Sequence, residues 1–204
     1  MAVFGLLSGA QNTPVPQQVD PATLAAKEEH EGLLIAVDPY TDAVRSKARF
    51  GKKHPQEHGI LAVEVFLRND NIRPIRVDLS TIRLLLSPPE TSRQRLEPLT
   101  VDEVIERILY KGGPELNKPR FPIPQRTPNR SKDWKELEGT LKPALLETDI
   151  LPPKSTMHGF LFFDLSNHFE WVPYARLYVP KLEFMDDKKE LFYFEVDMKK
   201  TGQR

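Results

Sequence analysis

Two histidines lie four positions apart, a spacing that occurs in metal sites. His54 and His58 form an H-x-x-x-H pair, with Glu57 between them. On a helix this spacing places both imidazoles on one face, where they bind zinc together. Pro55 directly follows His54 and Gly59 follows His58, so the sequence predicts a polar loop here instead of a helix. Two ligands fall short of the three or four that zinc sites use, so we predict no metal and no other cofactor, and only His54 and His58 are candidates for one.

Acidic side chains on predicted strands are the second candidate for chemistry. Glycoside hydrolysis uses a pair of carboxyl groups, one as acid and the other as base or nucleophile. The five acids considered are Asp38, Asp42, Glu64, Asp78 and Asp164. Spacing along the chain does not show whether acids on different strands converge. Outward-facing strand positions and turn caps account for all of them, so we expect structural roles.

Other catalytic signatures are missing from the sequence. There is no glycine-rich phosphate loop, no G-x-S-x-G nucleophile elbow and no H-E-x-x-H zinc motif. The chain also contains no cysteine, which excludes disulfides, thiolate metal sites and cysteine nucleophiles. The sequence therefore favours a protein that is not an enzyme.

Basic side chains close to aromatic rings are the third candidate. The stretch RSKARFGKK (45–53) has five basic residues and no acid. Such stretches bind single-stranded nucleic acid or anionic polymers. The whole chain, however, has 29 Lys and Arg against 29 Asp and Glu, so we expect solvated loops and no specific nucleic-acid binding. The candidate partner-binding residues are Arg120, Phe121, Arg126, Arg130 and Trp134.

The elements that position these side chains are mostly strands. In residues 59–69 one face carries only apolar side chains, whereas Glu64 and Arg68 lie on the other. Residues 74–86 alternate apolar and polar side chains until the pattern changes face near Thr81, which predicts a bend. The polar turn between the two predicts either a β-hairpin or a crossover between sheets. Further strands are predicted at 32–38, 156–167, 173–186 and 190–199, and Pro180 divides the third of these into two pieces.

A helix is predicted between the two groups of strands. Residues 99–113 follow the helical period, and Thr100 with Glu103 forms a capping box at the start. The strand at 156–167 is apolar on both faces and therefore needs cover on both. We expect the helix to lie over Phe160 and Phe162, which share one of those faces.

The helix belongs to a predicted insertion at about 98–147. A stretch with five prolines (114–129) follows it, and then a second helix at 131–147 that is broken or kinked near Gly139 and Pro143. Strands without a helix between each pair favour antiparallel packing. The sequence therefore predicts a mainly β protein, an antiparallel immunoglobulin-like β-sandwich with an α-helical insertion.

Domain boundaries and compartment are predicted from the N-terminus. We expect a flexible tail at 1–27, a short helix at 21–32 and a single domain at 28–200. The tail opens with MAVFGLLSGA, too short and too weakly charged to span a membrane or form a full secretion signal. The residues LLSGA at the end of this stretch, followed by a polar segment rich in proline and glutamine, are typical of the remnant of a signal before a flexible tether. The sequence therefore favours an extracytoplasmic location, with a membrane tether through a signal preceding this chain, over a cytoplasmic tail.

Four quoted segments carry a resemblance to a known family. They are EGLLIAVDPY, FGKKHP, GILAVEVFLRNDNIRPIRVD and ILPPKSTMHGFLFFDL. In this order they resemble immunoglobulin-like domains of uncharacterised bacterial secreted proteins and lipoproteins, loosely akin to late-embryogenesis-abundant and water-stress domains. The resemblance covers 31–86 and 147–200. It implies that Asn69 and Pro74 make a turn, and that Gly159 lets backbone or a ring pack closely.

Two functions remain open from the sequence. In the first, the protein is a non-enzymatic binding or assembly module of the cell envelope that contacts an unidentified protein partner through the insertion and the sheet edges. The extended stretch PRFPIPQRTP favours a polyproline-type contact. In the second, it is a small-ligand or carbohydrate binder or hydrolase, with a pocket between helix and sheet lined by Trp134, Tyr110 or Trp171. We favour the first.

Overall fold

Three antiparallel sheets and a few helices make up the fold. The computed structural model describes residues 19–89, 91–110 and 131–199. The strands are β1 (Ala26–His30), β2 (Leu33–Tyr40), β3 (Ile60–Asn69), β4 (Ile75–Val77), β5 (Arg83–Leu86), β6 (Gln94–Leu96), β7 (Ile150–Leu151), β8 (Ser155–Asp164), β9 (Ala175–Val179), β10 (Leu182–Phe184) and β11 (Phe194–Asp197). The α-helices are α1 (Ala43–Phe50), α2 (Val101–Leu109) and α3 (Lys132–Leu141), and short 3₁₀ helices lie at Pro21–Thr23, Pro55–His58, Leu79–Thr81, Lys142–Ala144 and Phe169–Tyr174.

The strands form a mainly β arrangement that is compatible with a β-sandwich. Sheet I has the order β1-β2-β3-β8, sheet II the order β10-β4-β7, and sheet III the order β11-β9-β5-β6. All these strand pairs are antiparallel, as the sequence predicts. Because β3 belongs to sheet I and β4 to sheet II, the polar turn between them is the crossover and not a hairpin.

Sheets II and III share one long ribbon that is interrupted in the middle. β4 pairs with β10, and β5 pairs with β9. The turn Leu79–Thr81 interrupts one strand of the ribbon and Pro180 interrupts the other. The predicted bend near Thr81 and the predicted division at Pro180 are therefore confirmed, and both occur at the same level of the ribbon.

The main core lies on the inner face of sheet I and the inward faces of sheets II and III. Alternate residues of β3 and β8, among them Val63, Val65 and Phe163, pack there with Leu84 and Leu177. This is the two-residue period of strands with one face in a core. Their burial is the principal source of stability for the sheets.

The outer face of sheet I is covered by the three helices. Phe160 and Phe162 are buried in one cluster with Val104, Ile105 and Ile108 of α2, which confirms the predicted placement of this helix. Phe50 of α1 makes edge-on ring contacts there, and Leu137 and Leu141 of α3 complete the cluster. The capping box of Thr100 and Glu103 at the start of α2 is also confirmed.

Residues 21–32 do not form the predicted helix. β1 pairs with β2 from Ala26↔Val37 to His30↔Leu33, and Glu31 and Gly32 connect them with φ angles of 50° and 71°. Two consecutive positive φ angles are those of a two-residue hairpin turn, so Gly32 turns the chain instead of ending a helix. The predicted tail boundary at residue 27 is therefore too late, because residues 21–27 already belong to the fold.

Two further helix predictions need correction. The basic stretch 45–53 was expected to be a loop, but most of it lies in α1, whose N-cap is Asp42. α3 begins after the predicted cap Ser131 and continues through Gly139 without a break. It changes to a 3₁₀ turn only around Pro143, whose ring does not fit a helix interior.

Candidate functional site

A network of polar side chains lies on the outer face of sheet I, between two apolar clusters. It consists of Asp38, Tyr40, Arg45, Glu64 and His158, and we call it the Asp38 network. Asp38 and Glu64 are directly opposite each other in the β2–β3 register, while α1 contributes Arg45 and β8 contributes His158. Four separate elements therefore meet at this point.

Arg45 holds Asp38 in a two-pronged ion pair. Its Nη1 donates to Oδ1 of Asp38 at 2.8 Å, and its Nη2 donates to Oδ2. The guanidinium carbon also lies 3.9 Å from the centroid of the Tyr40 ring. The hydrogen bonds to Asp38 raise the pKa of Arg45 above its usual value. Because both oxygens of Asp38 are engaged, this carboxylate ties α1 to β2 and is not a free base or nucleophile.

Glu64 is the more buried acid of the network, with 15% of its side chain exposed. Tyr40 donates its hydroxyl to Oε2 at 3.2 Å, and Nδ1 of His158 lies 3.1 Å from Oε1. Burial raises the pKa of Tyr40, and the negative charge of Glu64 raises it further. Both oxygens of Glu64 are thus engaged as well, so the network joins β2, β3 and β8.

Of the five predicted acids, the structure brings only Asp38 and Glu64 together. Asp42 accepts the N–H of Arg45 and caps α1. Asp78 caps the turn Leu79–Thr81, and Asp164 pairs with Arg107. Sequence reasoning missed Tyr40, Arg45 and His158. The two-residue period of β2, which puts Asp38 and Tyr40 on one face, was the available signal.

The two histidines predicted as metal candidates occupy different surroundings. His54 is buried, with 1% of its surface exposed, and its Nε2 lies 3.3 Å from a carboxylate oxygen of Glu57. His58 ends the 3₁₀ turn that starts at Pro55, where a polar loop was expected. Over 19–89, 91–110 and 131–199, no three His, Asp or Glu side chains are grouped to hold a metal ion.

Most of the predicted partner-binding residues lie outside the described residues. They are Arg120, Phe121, Arg126 and Arg130. Trp134 lies in α3, half-buried against the cluster of Phe160 and Phe162, so its ring supports the helix.

The three aromatic rings predicted to line one pocket are separated in the structure. Tyr110 is exposed at the end of α2, and Trp134 of α3 packs against the cluster of Phe160 and Phe162. Trp171 packs against the main core and stacks on His168, with ring centroids 4.1 Å apart. These three rings therefore do not line a common site between helix and sheet.

Both ends of the insertion are anchored in the same helical layer. α2 and α3 contact each other and bury apolar side chains in the one cluster that covers Phe160 and Phe162. After α3, Leu145 still belongs to this outer cluster, whereas Leu146 belongs to the main core. The chain therefore returns to the sheets around the edge of β8, beside Gly159. The described residues on either side of 111–130 therefore belong to one layer.

A cleft of about 640 Å³ lies where the ribbon of sheets II and III is interrupted. Pro180, Ser80 and Leu182 line it. Arg76 also lines it, with Nη1 3.5 Å from Glu183. The carboxylates around the cleft are those of Asp78, Glu147, Asp149, Glu183 and Glu190. Its size is that of sites for small molecules, and no sequence signal marked it because its walls come from separate strands.

Comparisons with known proteins assign no function to the chain, so a proposal depends on the geometry described above. No protein-family model and no curated protein matches the chain. Among solved structures, a functionally unknown protein from Listeria monocytogenes EGD-e is similar at a TM-score of 0.35 and 12% identity, over 77% of this chain and 71% of that chain. Among the helices that the structure describes, none has the length and apolar character needed to cross a membrane.

Proposed function

We propose that this protein is a non-enzymatic binding or assembly module of the bacterial cell envelope, with an immunoglobulin-like β-sandwich. It recognises a protein partner through the insertion and the sheet edges. The envelope location follows from the sequence resemblance to secreted domains. The observation that carries the binding role is that α2 and α3, the helices before and after residues 111–130, contact each other and bury apolar side chains in one cluster.

The amino-acid composition of segment 111–130 supports a role in recognition. Residues 111–130 contain five prolines, five Lys or Arg and one Glu. Proline restricts φ before binding, so a proline-rich segment loses less entropy when a partner orders it. Connections of this length in compact domains commonly carry function. A basic, proline-rich segment fits an acidic partner surface with aromatic side chains.

Deleting residues 114–130 is expected to abolish capture of the partner from an envelope fraction, because the recognition element is lost while α2 and α3 remain. The triple variant Arg120→Glu, Arg126→Glu, Arg130→Glu should weaken capture at least about tenfold, since like charges then face the partner. Quantitative pull-down with the full chain as bait measures both effects.

The matched control changes the same charge at three exposed lysines elsewhere. The variant Lys47→Glu, Lys52→Glu, Lys189→Glu should capture the partner as the wild type does. Capture that survives the deletion unchanged would remove the insertion from the proposal. If the arginine and lysine variants lost capture of the partner equally, capture would depend on the net charge of the protein alone.

The cleft supports a second candidate function, binding of a small ligand. Its volume of about 640 Å³ and its mixture of apolar, cationic and acidic groups are those of a small-molecule site. It lies between sheets II and III, not between helix and sheet where the sequence predicted a pocket.

A ligand of the cleft is expected to raise the thermal midpoint by roughly 5–10 °C at a hundredfold excess over its Kd. Thermal-shift screening of sugars, amines and metal salts measures this. The shift should disappear in Arg76→Ala, which removes the guanidinium at the cleft wall, and persist in Glu136→Ala on the exposed side of α3. If no compound gives a saturating shift, or if Arg76→Ala and Glu136→Ala give equal shifts, the cleft is not the ligand site.

A further inference from the structure

The cleft beside Pro180 follows one row of side chains across sheet II. The register places Glu183 of β10 directly opposite Arg76 of β4, and Arg76 opposite Ile150 of β7. A single bridge adds Glu190 on the far side of Glu183. Directly opposite residues lie on the same face of a sheet, so Glu190, Glu183 and Arg76 stand side by side. All three of these charged residues line the cleft.

The arginine of this row has unused hydrogen-bond donors. Nη1 of Arg76 lies 3.5 Å from an oxygen of Glu183, and Nε lies 3.9 Å from an oxygen of Asp149, too far for a hydrogen bond. Within the described residues, neither Nε nor Nη2 has an acceptor. A guanidinium has five N–H donors in a planar fork that fits a carboxylate with two parallel bonds. Arg76 can therefore anchor a carboxylate that enters the cleft.

The acidic side chains of the cleft favour a cation. Glu183 and Glu190 stand directly opposite each other, and like charges at such positions repel. Lys188 offsets the charge of Glu183, with its Nζ 3.1 Å from Oε1. Glu190 and Glu147 form no ion pair with any residue that the structure describes. The lining contains five carboxylates against two cationic side chains, so a positively charged group is attracted into the cleft.

The rest of the lining is mostly apolar. The apolar residues are Leu79, Pro180, Leu182 and Leu191. Such a surface fits an aliphatic chain, which gains free energy when it leaves water. The backbones at Arg76 and Glu190 are two strand spacings apart, about 10 Å. Both side chains extend into this gap, so a ligand with a few methylene groups between its charges bridges them.

We propose that the cleft binds a basic amino acid, either free or at the C-terminus of a short peptide. Arg76 binds the carboxylate, Glu190 binds the side-chain ammonium group, and the aliphatic chain lies on the apolar lining. This rests on the second candidate function, binding of a small ligand, and names the chemistry of that ligand. The ligand carries its charges apart, which suits acids of which no three are grouped to hold one metal ion.

Calorimetric titration of the full chain with lysine, cadaverine and norleucine tests both anchors. Cadaverine has the same chain and two ammonium groups but lacks the carboxylate, and norleucine lacks the side-chain ammonium group. Lysine is expected to bind at least about tenfold more tightly than either, because each of the others loses a charged contact. The affinity of the dipeptide alanyl-lysine, relative to that of lysine, distinguishes a peptide ligand from the free amino acid.

Variants assign each contact to its side chain. In Arg76→Gln, the preference for lysine over cadaverine should be lost while the preference over norleucine remains. In Glu190→Gln, the preference over norleucine should fall while the preference over cadaverine remains. The matched control Glu136→Gln, at an exposed acid of α3, should bind all three compounds as the wild type does. Circular dichroism checks that each variant is folded.

Each anchor is overturned by a different result. Cadaverine that binds as tightly as lysine would show a site for any cation, without a carboxylate on Arg76. Norleucine that binds as tightly as lysine would show that Glu190 holds no ammonium group. If none of these compounds binds but another compound gives a thermal shift that depends on Arg76, only this proposal fails. If no compound binds in either experiment, the second candidate function fails as well.

Discussion

Replacing Asn69 with aspartate is expected to destabilise the fold by about 4 kcal/mol at pH 7. Asn69 is fully buried at the end of β3. Its amide group donates to the carbonyl oxygens of Arg73 at 2.7 Å and Pro152 at 3.1 Å, with Leu151 at 3.4 Å. Its own oxygen accepts the N–H of Asn71 at 2.9 Å. The side chain therefore supports the crossover from sheet I to sheet II, which confirms the turn role implied by the resemblance.

The substitution Asn69→Asp keeps the shape and removes the donors. The new carboxylate faces carbonyl oxygens, and this raises its pKa in the folded state above the value of about 3.9 in the unfolded chain. A raised pKa in the folded state means that stability is lost as pH rises, so the penalty should be smallest below about pH 4 and largest near pH 7. Urea unfolding of wild type and variant at both pH values measures the difference.

The control for Asn69→Asp is the same change at an exposed turn. Asn167→Asp should shift the free energy of unfolding by less than about 1 kcal/mol, with little dependence on pH. If both variants lost the same small free energy of unfolding, the buried hydrogen bonds of Asn69 would not be important to the stability of the fold.

Replacing Gly159 with alanine is expected to cost about 3 kcal/mol of unfolding free energy. A Cβ at this position would lie 2.5 Å from the backbone nitrogen of Leu146 and 2.7 Å from the carbonyl carbon of Leu145. Both are backbone atoms that cannot rotate away. They belong to the chain that returns from the insertion and donates the N–H of Leu146 to the carbonyl of Phe160. The predicted close approach at Gly159 is confirmed.

Gly139 in α3 provides the matched control for Gly159. A Cβ at Gly139 would meet no atom within 4 Å, so only helix propensity changes there. Gly139→Ala should stabilise the protein by up to about 1 kcal/mol, the opposite sign from Gly159→Ala. Chemical denaturation of both variants measures this. A Gly159→Ala variant as stable as wild type would show that the return segment can shift without cost.

Several features of this protein were determined by its sequence alone. The spacing of apolar residues predicted β3 with one buried face and β8 with two, because in a strand successive side chains point to opposite sides. The burial of the second face of β3, with Ile60, Ala62 and Phe66, was not predicted. The capping box of Thr100 and Glu103 predicted the start of α2, and Pro180 predicted the division between β9 and β10. Each of these depends on residues close together in the chain, where local geometry decides the structure.

Other features were decided only by the tertiary structure. Residues 21–32 carry a helix-compatible pattern, yet pairing of β1 with β2 makes residues 26–32 part of a hairpin. The ion pair of Arg45 with Asp38 and the cleft beside Pro180 both join separate elements. Such contacts depend on strand order and register, which the periodicity of the sequence does not specify. The physical reason is that main-chain pairing between distant segments outweighs weak local propensities, and only the folded chain brings those segments together.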